Sequence, residues 1–153
     1  MQIQVSREID APAGRVWELI TDLDGASQLL SGVDLVERLD DGDGFGVGTR
    51  WRETRTMFGK QATEVMEVTA VEPERSYTTV ADHGKTRYVS GLHVDPLDDA
   101  RSRLTMSFDG TSSSPIGRAL TATVGRLFQG STRKMIQRDL DDIAVAAEAG
   151  ATT

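Results

Sequence analysis

The stretch that decides the fold is Ile9-Asp10-Ala11-Pro12-Ala13-Gly14-Arg15-Val16-Trp17-Glu18-Leu19-Ile20-Thr21-Asp22. Residues 2–9 alternate between apolar and polar side chains, which predicts a half-buried strand. Pro12 suits the first turn of a helix, because its missing N–H is not needed there. Gly25 ends this helix, and residues 26–31 predict a second short helical turn. Between Pro12 and Gly25, apolar residues recur at helical spacing, at Val16, Leu19, Ile20 and Leu23.

The middle of the chain predicts an antiparallel meander. Glycine, proline and aspartate interrupt it at short intervals, as is typical of turns. The glycine-rich segment over residues 41–48 is predicted to be a flexible loop at the mouth of a cavity. With the first strand this gives about seven strands with helices at both ends, which indicates an α+β domain. The six predicted strands cover residues 33–40, 48–58, 60–72, 75–82, 85–95 and 103–109.

Residues 115–148 predict one long C-terminal helical segment whose apolar stripe changes direction. Within the first half the stripe follows Ile116 and Leu120, whereas in the second half it lies more than a third of a turn away. Gly125 and Gly130 stand where the direction changes. We therefore expect the helix to bend or break between them, and residues 116–128 to border the entrance of a cavity.

Composition limits the class of protein. The 153 residues predict one domain over residues 1–148, with residues 149–153 as a frayed tail. The absence of cysteine excludes disulfides and thiolate metal sites, and the formal net charge of −7 disfavours nucleic acid as a partner. No apolar run approaches the roughly 20 residues that span a bilayer, and residues 1–8 do not have the pattern of a signal peptide. We expect a cytoplasmic protein without a metal or cofactor.

Alternation also predicts which side chains face inward. Trp51 and Met57 occupy odd positions of their strand, so Glu53 and Arg55 between them are predicted on the same inner face. In the next strand the even positions, up to Ala70, are predicted to be inner. Each such residue is typical of an ordinary core, but a curved sheet packed on one helix leaves space for a ligand. The predicted ligand-binding residues are Trp51, Arg55, Met57, Met66, Val68, Tyr77, Tyr88, Ser90, Leu92, Met106, Phe108, Leu120 and Val124.

Two inward polar residues are candidates for catalysis. Glu53 is placed to act as a base, and Arg55 to bind an enolate or carboxylate oxygen with its fork of donors. Tyr88 is a third candidate that would hold a carbonyl group. The alternative is that Glu53 and Arg55 form an internal salt bridge. Neither His83, in a hairpin turn, nor His93, on the outer face, is expected to be needed for function.

The chain resembles the START-like, pollen-allergen-like superfamily, SRPBCC, and within it the polyketide cyclase/dehydrase and lipid-transport group. The resemblance implies a helix-grip fold, in which a curved antiparallel sheet wraps around a long C-terminal helix and encloses a cavity. The region Gln28–Gly32 departs from related sequences, which often carry aromatic residues there. The likeness is carried by Ile9–Pro12 with Val16-Trp17 and Asp22, by Gly46–Trp51 leading to Glu67–Arg75, and by Asp139–Ile143.

The resemblance leaves three functions open. The favoured one is the carriage or sensing of a small hydrophobic or amphipathic ligand, such as a lipid or a polyketide-like molecule, because few acid or base groups face inward. The second is a polyketide aromatase/cyclase or dehydratase. The third is a protein-interaction module such as a chaperone activator, which a filled core with an exposed apolar patch would favour.

Overall fold

A computed structural model describes the backbone of residues 2–57 and 59–151. It describes the side chains of the same residues except 57, 117, 120–128 and 151. Two short helices follow the first strand, α1 (Ala13–Ile20) and α2 (Ala26–Leu29), and one long helix, α3 (Pro115–Ala151), closes the chain. The strands are β1 (Gln2–Ile9), β2 (Val33–Arg38), β3 (Arg50–Met57), β4 (Lys60–Glu72), β5 (Ser76–His83), β6 (Thr86–Pro96) and β7 (Ser102–Ser112).

The strands form one antiparallel sheet in the order β1-β7-β6-β5-β4-β3-β2. With the long α3 and the short α1 and α2, this is the helix-grip α+β fold that the sequence predicts. The predicted strand boundaries coincide with the observed ones for β1 and β4 and lie within three residues of them elsewhere. The agreement follows from clear turn residues between segments, such as Gly59 and Gly84, which both adopt positive φ angles that favour glycine.

The core lies between the inner face of the sheet and the second half of α3. Ile136, Leu140 and Ile143 recur at helical spacing and are buried, and α1 adds Val16 and Ile20. Burying each such aliphatic side chain contributes roughly 1.5–3 kcal/mol, so this stripe fixes α3 on the sheet. From the strands, the core receives Ile3, Val5, Ile9, Trp51, Val68, Tyr77, Val94 and Leu104.

A β-bulge in β4 corrects one predicted face. Val68 pairs with Thr79, but the next pair joins Ala70 to Thr78, so one extra residue stands in β4. The bulge reverses the alternation beyond this point. Ala70, predicted to be inner, is therefore exposed, and Val71 packs against the core instead.

Helix α3 is continuous, so the predicted break is wrong, whereas the alternative of a bend stays a prediction. Helical backbone extends through Gly125 and Gly130, and it also includes residues 149–151, which the sequence predicts as part of a frayed tail. The two halves of the apolar stripe need not face the same core. The second half of the stripe is buried, whereas Ile116 in the first half is 75% exposed. At about 1.5 Å per residue the helix is roughly 55 Å long, longer than a small domain can cover.

None of the helices in the described part of the chain is long and apolar enough to cross a membrane.

We expect the two halves of α3 to differ in backbone protection. The second half carries the buried stripe at Ile136, Leu140 and Ile143, and Ile116 in the first turn is largely exposed. Amides of residues 116–128 should therefore exchange with solvent faster than those of residues 132–145, and should slow when a ligand binds. Hydrogen exchange followed by mass spectrometry measures both. Equal protection along the helix would contradict the role of residues 116–128 at the entrance.

Candidate ligand-binding site

A cavity of about 100 Å³ lies between the inner face of the sheet and α3. Strands β3 to β7 and helix α3 each contribute to its wall, and Leu30 closes it from the segment after α2. Of the residues predicted from the sequence, the structure brings together at this cavity Trp51, Glu53, Arg55, Met66, Tyr77, Ser90, Leu92 and Met106. The wall is completed by Thr79, Gly91, Asp139, Leu140 and Ile143.

The other predicted residues lie elsewhere. Val68 is buried in the core away from the cavity wall. Tyr88 and Phe108 stack on each other with ring centroids 5.5 Å apart, and neither lines the cavity. Of the three residues predicted as candidates for catalysis, Glu53 and Arg55 line the cavity and Tyr88 does not. The side chains of Met57, Leu120 and Val124 lie outside the described residues.

Arg55 is the charged centre of the cavity wall. Its Nε donates to Glu53 Oε2 at 2.8 Å, and its Nη1 and Nη2 donate to the two carboxylate oxygens of Asp139 at 3.2 and 2.8 Å. The Arg55 side chain is 14% exposed and that of Asp139 is 7% exposed. The predicted internal salt bridge is thus present, with a second carboxylate from α3.

The protonation of this group follows from burial and from its partners. Burial disfavours the charged guanidinium, but Glu53 and Asp139 outweigh it and raise the pKa of Arg55. Burial also raises the pKa of Asp139, while the hydrogen bond and the charge of Arg55 act against that increase. Arg55 therefore stays positively charged, and the Asp139 carboxylate depends on Arg55 to remain ionised.

Asp139 is the site residue that the sequence reasoning missed. The family resemblance includes Asp139 within the segment Asp139–Ile143 but assigns it no role in the site. Its spacing from Ile136, three residues before, and Ile143, four residues after, places it on the buried stripe. A carboxylate within an apolar helical stripe is the signal that identifies it, because such a group needs a buried partner.

Tyr77 forms the apolar floor of the cavity. Its hydroxyl donates to the backbone carbonyl of Ile20 at 3.2 Å, and burial raises its pKa. Phe45, from the glycine-rich loop, packs edge-on against the Tyr77 ring at 4.8 Å and also contacts Trp51. The loop that was predicted to be flexible is therefore attached to the cavity floor by one aromatic side chain.

Asp40 holds the start of the same loop. Its carboxylate accepts hydrogen bonds from the backbone N–H groups of Arg50 and Gly42, at 3.0 and 3.1 Å, and from the Arg38 guanidinium at 2.9 Å. These bonds favour the charged form, chiefly the one from Arg50 and then the one from Arg38, and lower the pKa of Asp40 to about 2.

We expect the Asp40 carboxyl group to titrate with a midpoint of about 2, below the ordinary value of 3.8. A lowered pKa stabilises the folded state above pH 3.8, and this contribution is lost as the pH falls toward 2. Carboxyl ¹³C chemical shifts measured against pH test this, with Asp40→Asn identifying the signal. A midpoint near 3.8 would show that the three hydrogen bonds do not persist in solution.

A second, outer pocket lies on the other side of the Arg55–Asp139 pair. Its volume is about 270 Å³, and it shares Arg55 and Asp139 with the inner cavity. The remaining wall comes from three parts of the chain. β3 contributes Thr56, the segment before β2 contributes Gly32, and α3 contributes Ser131, Lys134, Met135 and Arg138. The ion pair is therefore a partition between the two pockets, of which the outer one carries more charged side chains.

Other candidate chemistry is sparse near the cavity. His83 and His93 are both exposed, as predicted, although His83 is the last residue of β5 rather than part of the turn that follows it. Within the part of the chain that the structure describes, no three His, Asp or Glu side chains are grouped closely enough to hold a metal ion.

Residues 1–148 match the family described as polyketide cyclase/dehydrase and lipid transport. No protein of curated function matches the sequence significantly. The structure is similar to TTHA0849 from Thermus thermophilus, with a TM-score of 0.79, 21% identity, and coverage of 98% of this chain and 99% of that one.

Two further solved structures have the same fold. The Zhui aromatase/cyclase from Streptomyces sp. R1128 has a TM-score of 0.80 and 18% identity, covering 97% of this chain and 93% of that one. A START superfamily protein from Mycobacterium smegmatis has a TM-score of 0.72 and 13% identity, covering 95% and 97%. At these identities the likeness shows the shared fold.

Proposed function

The chain belongs to the polyketide cyclase/dehydrase and lipid transport family, and on that premise we propose that it carries or senses a small hydrophobic or amphipathic molecule. The observation that carries this proposal is the inner cavity, whose wall includes Trp51, Leu92 and Met106. Apolar walls with a few placed polar groups are typical of sites for small molecules. We expect the protein to act in the cytoplasm.

Three observations favour binding over catalysis. The hydrogen bonds of Arg55 go to Glu53 and Asp139, so the acid and base candidates satisfy each other. The Tyr77 hydroxyl donates a hydrogen bond to a backbone carbonyl and its pKa is raised, so it keeps its proton and is poorly suited to proton transfer. The two histidines, the usual proton-transfer residues, are exposed.

Native mass spectrometry of the purified protein tests the proposal. We expect a fraction of molecules to carry one bound small molecule, released on denaturation and identified as a lipid or polyketide-like compound. An apolar dye that is displaced by this compound would confirm that the binding is reversible. A protein that carries nothing and binds no member of a panel of apolar compounds would contradict the proposal.

The second candidate is a cyclase or dehydratase. The observation that favours it is the position of Glu53, Arg55 and Asp139 on the cavity wall, where they could meet a carbonyl oxygen of the ligand. Turnover of a poly-β-ketone thioester, lost in Arg55→Met, would support it.

The third candidate, a protein-interaction module, has less support. The exposed large apolar residues of the described chain lie on different elements, such as Leu35 on β2 and Val89 on β6.

A further inference from the structure

The outer pocket concentrates positive charge in a protein whose formal net charge is −7. Lys134 and Arg138 stand one helical turn apart on α3, and Arg55 reaches the same pocket from β3. Asp139 is the acidic side chain in this wall, and it is engaged by Arg55. Arg55 is balanced by Asp139 and by Glu53. The excess positive charge of the pocket therefore comes from Lys134 and Arg138. Asp142 is linked to Arg138 through Ser31 Oγ rather than by a direct ion pair.

Lys134 and Arg138 keep donors available in this pocket. Arg138 uses its Nε to donate to Ser31 Oγ at 2.9 Å, and its two terminal nitrogens form no ion pair with the described residues. Lys134 likewise has no ion-pair partner among the residues that the structure describes, and both side chains are exposed. An ammonium and a guanidinium one turn apart match a carboxylate or phosphate group in charge and in number of donors.

Gly32 lets Arg55 extend into the wall of the outer pocket. A Cβ atom at this position would stand 3.2 Å from Arg55 Nη1 and 3.8 Å from Asp139 Oδ1. Its absence leaves room for the guanidinium against the backbone of residue 32, so Arg55 borders both pockets at once.

The volumes of the two pockets favour one ligand that occupies both of them. The inner cavity of about 100 Å³ is smaller than the roughly 150 Å³ of a cavity that holds a benzene molecule. The outer pocket of about 270 Å³ is also below the roughly 300 Å³ at which ordinary ligand sites begin. Together they exceed it, and only the side chains of Arg55 and Asp139 are shared between them.

We propose that the two pockets form one site for an amphipathic anion, whose carboxylate or phosphate group binds Lys134 and Arg138 and whose apolar part enters the inner cavity. This inference rests on the proposed function and specifies the ligand class. The bound anion lies next to Arg55 and accepts one of the hydrogen bonds that Arg55 otherwise donates to Asp139. This exchange separates the Arg55 and Asp139 side chains enough to connect the two pockets. A neutral ligand of the same length has no group that compensates for this exchange.

The experiment compares three probes by isothermal titration calorimetry: octanoate, octyl phosphate and 1-octanol. We expect at least one of the two anions to bind at least about tenfold more tightly than the alcohol, because charge-assisted hydrogen bonds form at Lys134 and Arg138. The double variant Lys134→Gln/Arg138→Gln should lose that tenfold advantage and leave the affinity for 1-octanol unchanged. The preferred anion distinguishes a carboxylate ligand from a phosphate ligand.

The matched control is Arg118→Gln/Arg133→Gln, which removes the same charge from exposed positions of α3 outside the pocket and should preserve the preference for the anion. If 1-octanol binds as tightly as both anions, or if the Lys134/Arg138 variant keeps the preference, the inference is overturned while the proposed function stands. If none of the three probes binds, both fail for ligands of this size.

Discussion

Replacing Asp139 with alanine is expected to lower the free energy of unfolding by about 3 kcal/mol, the lower end of the range for breaking a buried ion pair. The change leaves Arg55, whose side chain is 14% exposed, with Glu53 as its remaining ionic partner. The loss is expected to come mainly from the two charged hydrogen bonds that Arg55 loses at a buried position, because alanine removes little packing. Urea denaturation of the wild type and the variant measures the difference.

An exposed arginine–aspartate pair, which also has two hydrogen bonds, provides the control. Arg87 donates to both carboxylate oxygens of Asp82 at 2.8 and 3.0 Å, but the two side chains are more than half exposed. Asp82→Ala should change stability little, because solvent screens such a pair. The double variant Arg55→Met/Asp139→Leu should recover part of the loss, since apolar residues of similar size can replace a buried pair, while Glu53 is left without its ionic partner. An Asp139→Ala protein as stable as Asp82→Ala would show that the buried pair is hydrated in solution.

Replacing Ser90 with leucine is expected to weaken ligand binding at least about tenfold without loss of stability. Ser90 lies on the cavity wall and is 8% exposed, so the larger apolar side chain points into a space of about 100 Å³. It fills room that the ligand needs and buries additional apolar surface, which compensates for the lost hydroxyl. Titration of the ligand found by mass spectrometry and thermal unfolding provide the two measurements.

The same substitution on the opposite face of the sheet is the matched control. Ser107 is exposed on β7, next to Gly91 of β6, and does not line the cavity. Ser107→Leu should leave affinity unchanged. Undiminished binding by Ser90→Leu would place the ligand outside the inner cavity.

The strands were predictable because alternation and turn residues act locally. The 60–72 segment coincides with β4, and the inner positions of Tyr88, Ser90 and Leu92 follow from a period of two without interruption. The exception is Ala70, because a β-bulge depends on the register with β5, which the alternation within one strand does not contain. The family resemblance added the order of the elements around one helix and is confirmed by the match over residues 1–148.

The site was less predictable because it depends on contacts between distant elements. Glu53 and Arg55 were placed on the inner face from β3 alone, but Asp139 lies 84 residues further along the chain. The break predicted at Gly125 and Gly130 failed for a related reason: it assumed that both halves of α3 face one core. A helix is free to extend beyond its sheet, and glycine alone does not interrupt it when the flanking residues favour helix.

The position of β1 at the edge of the sheet affects how the chain assembles during synthesis. β1 hydrogen-bonds to β7, where Ile3 pairs with Phe108, about 100 residues later in the chain. At translation rates of roughly 5–20 residues per second, the first strand waits about 5–20 s for its partner. During this interval Ile3, Val5 and Ile9, all buried in the folded protein, have no sheet to join. Closure of the sheet is therefore a late, long-range step, and the nascent segment that carries β1 stays open to chaperones or aggregation until β7 is made.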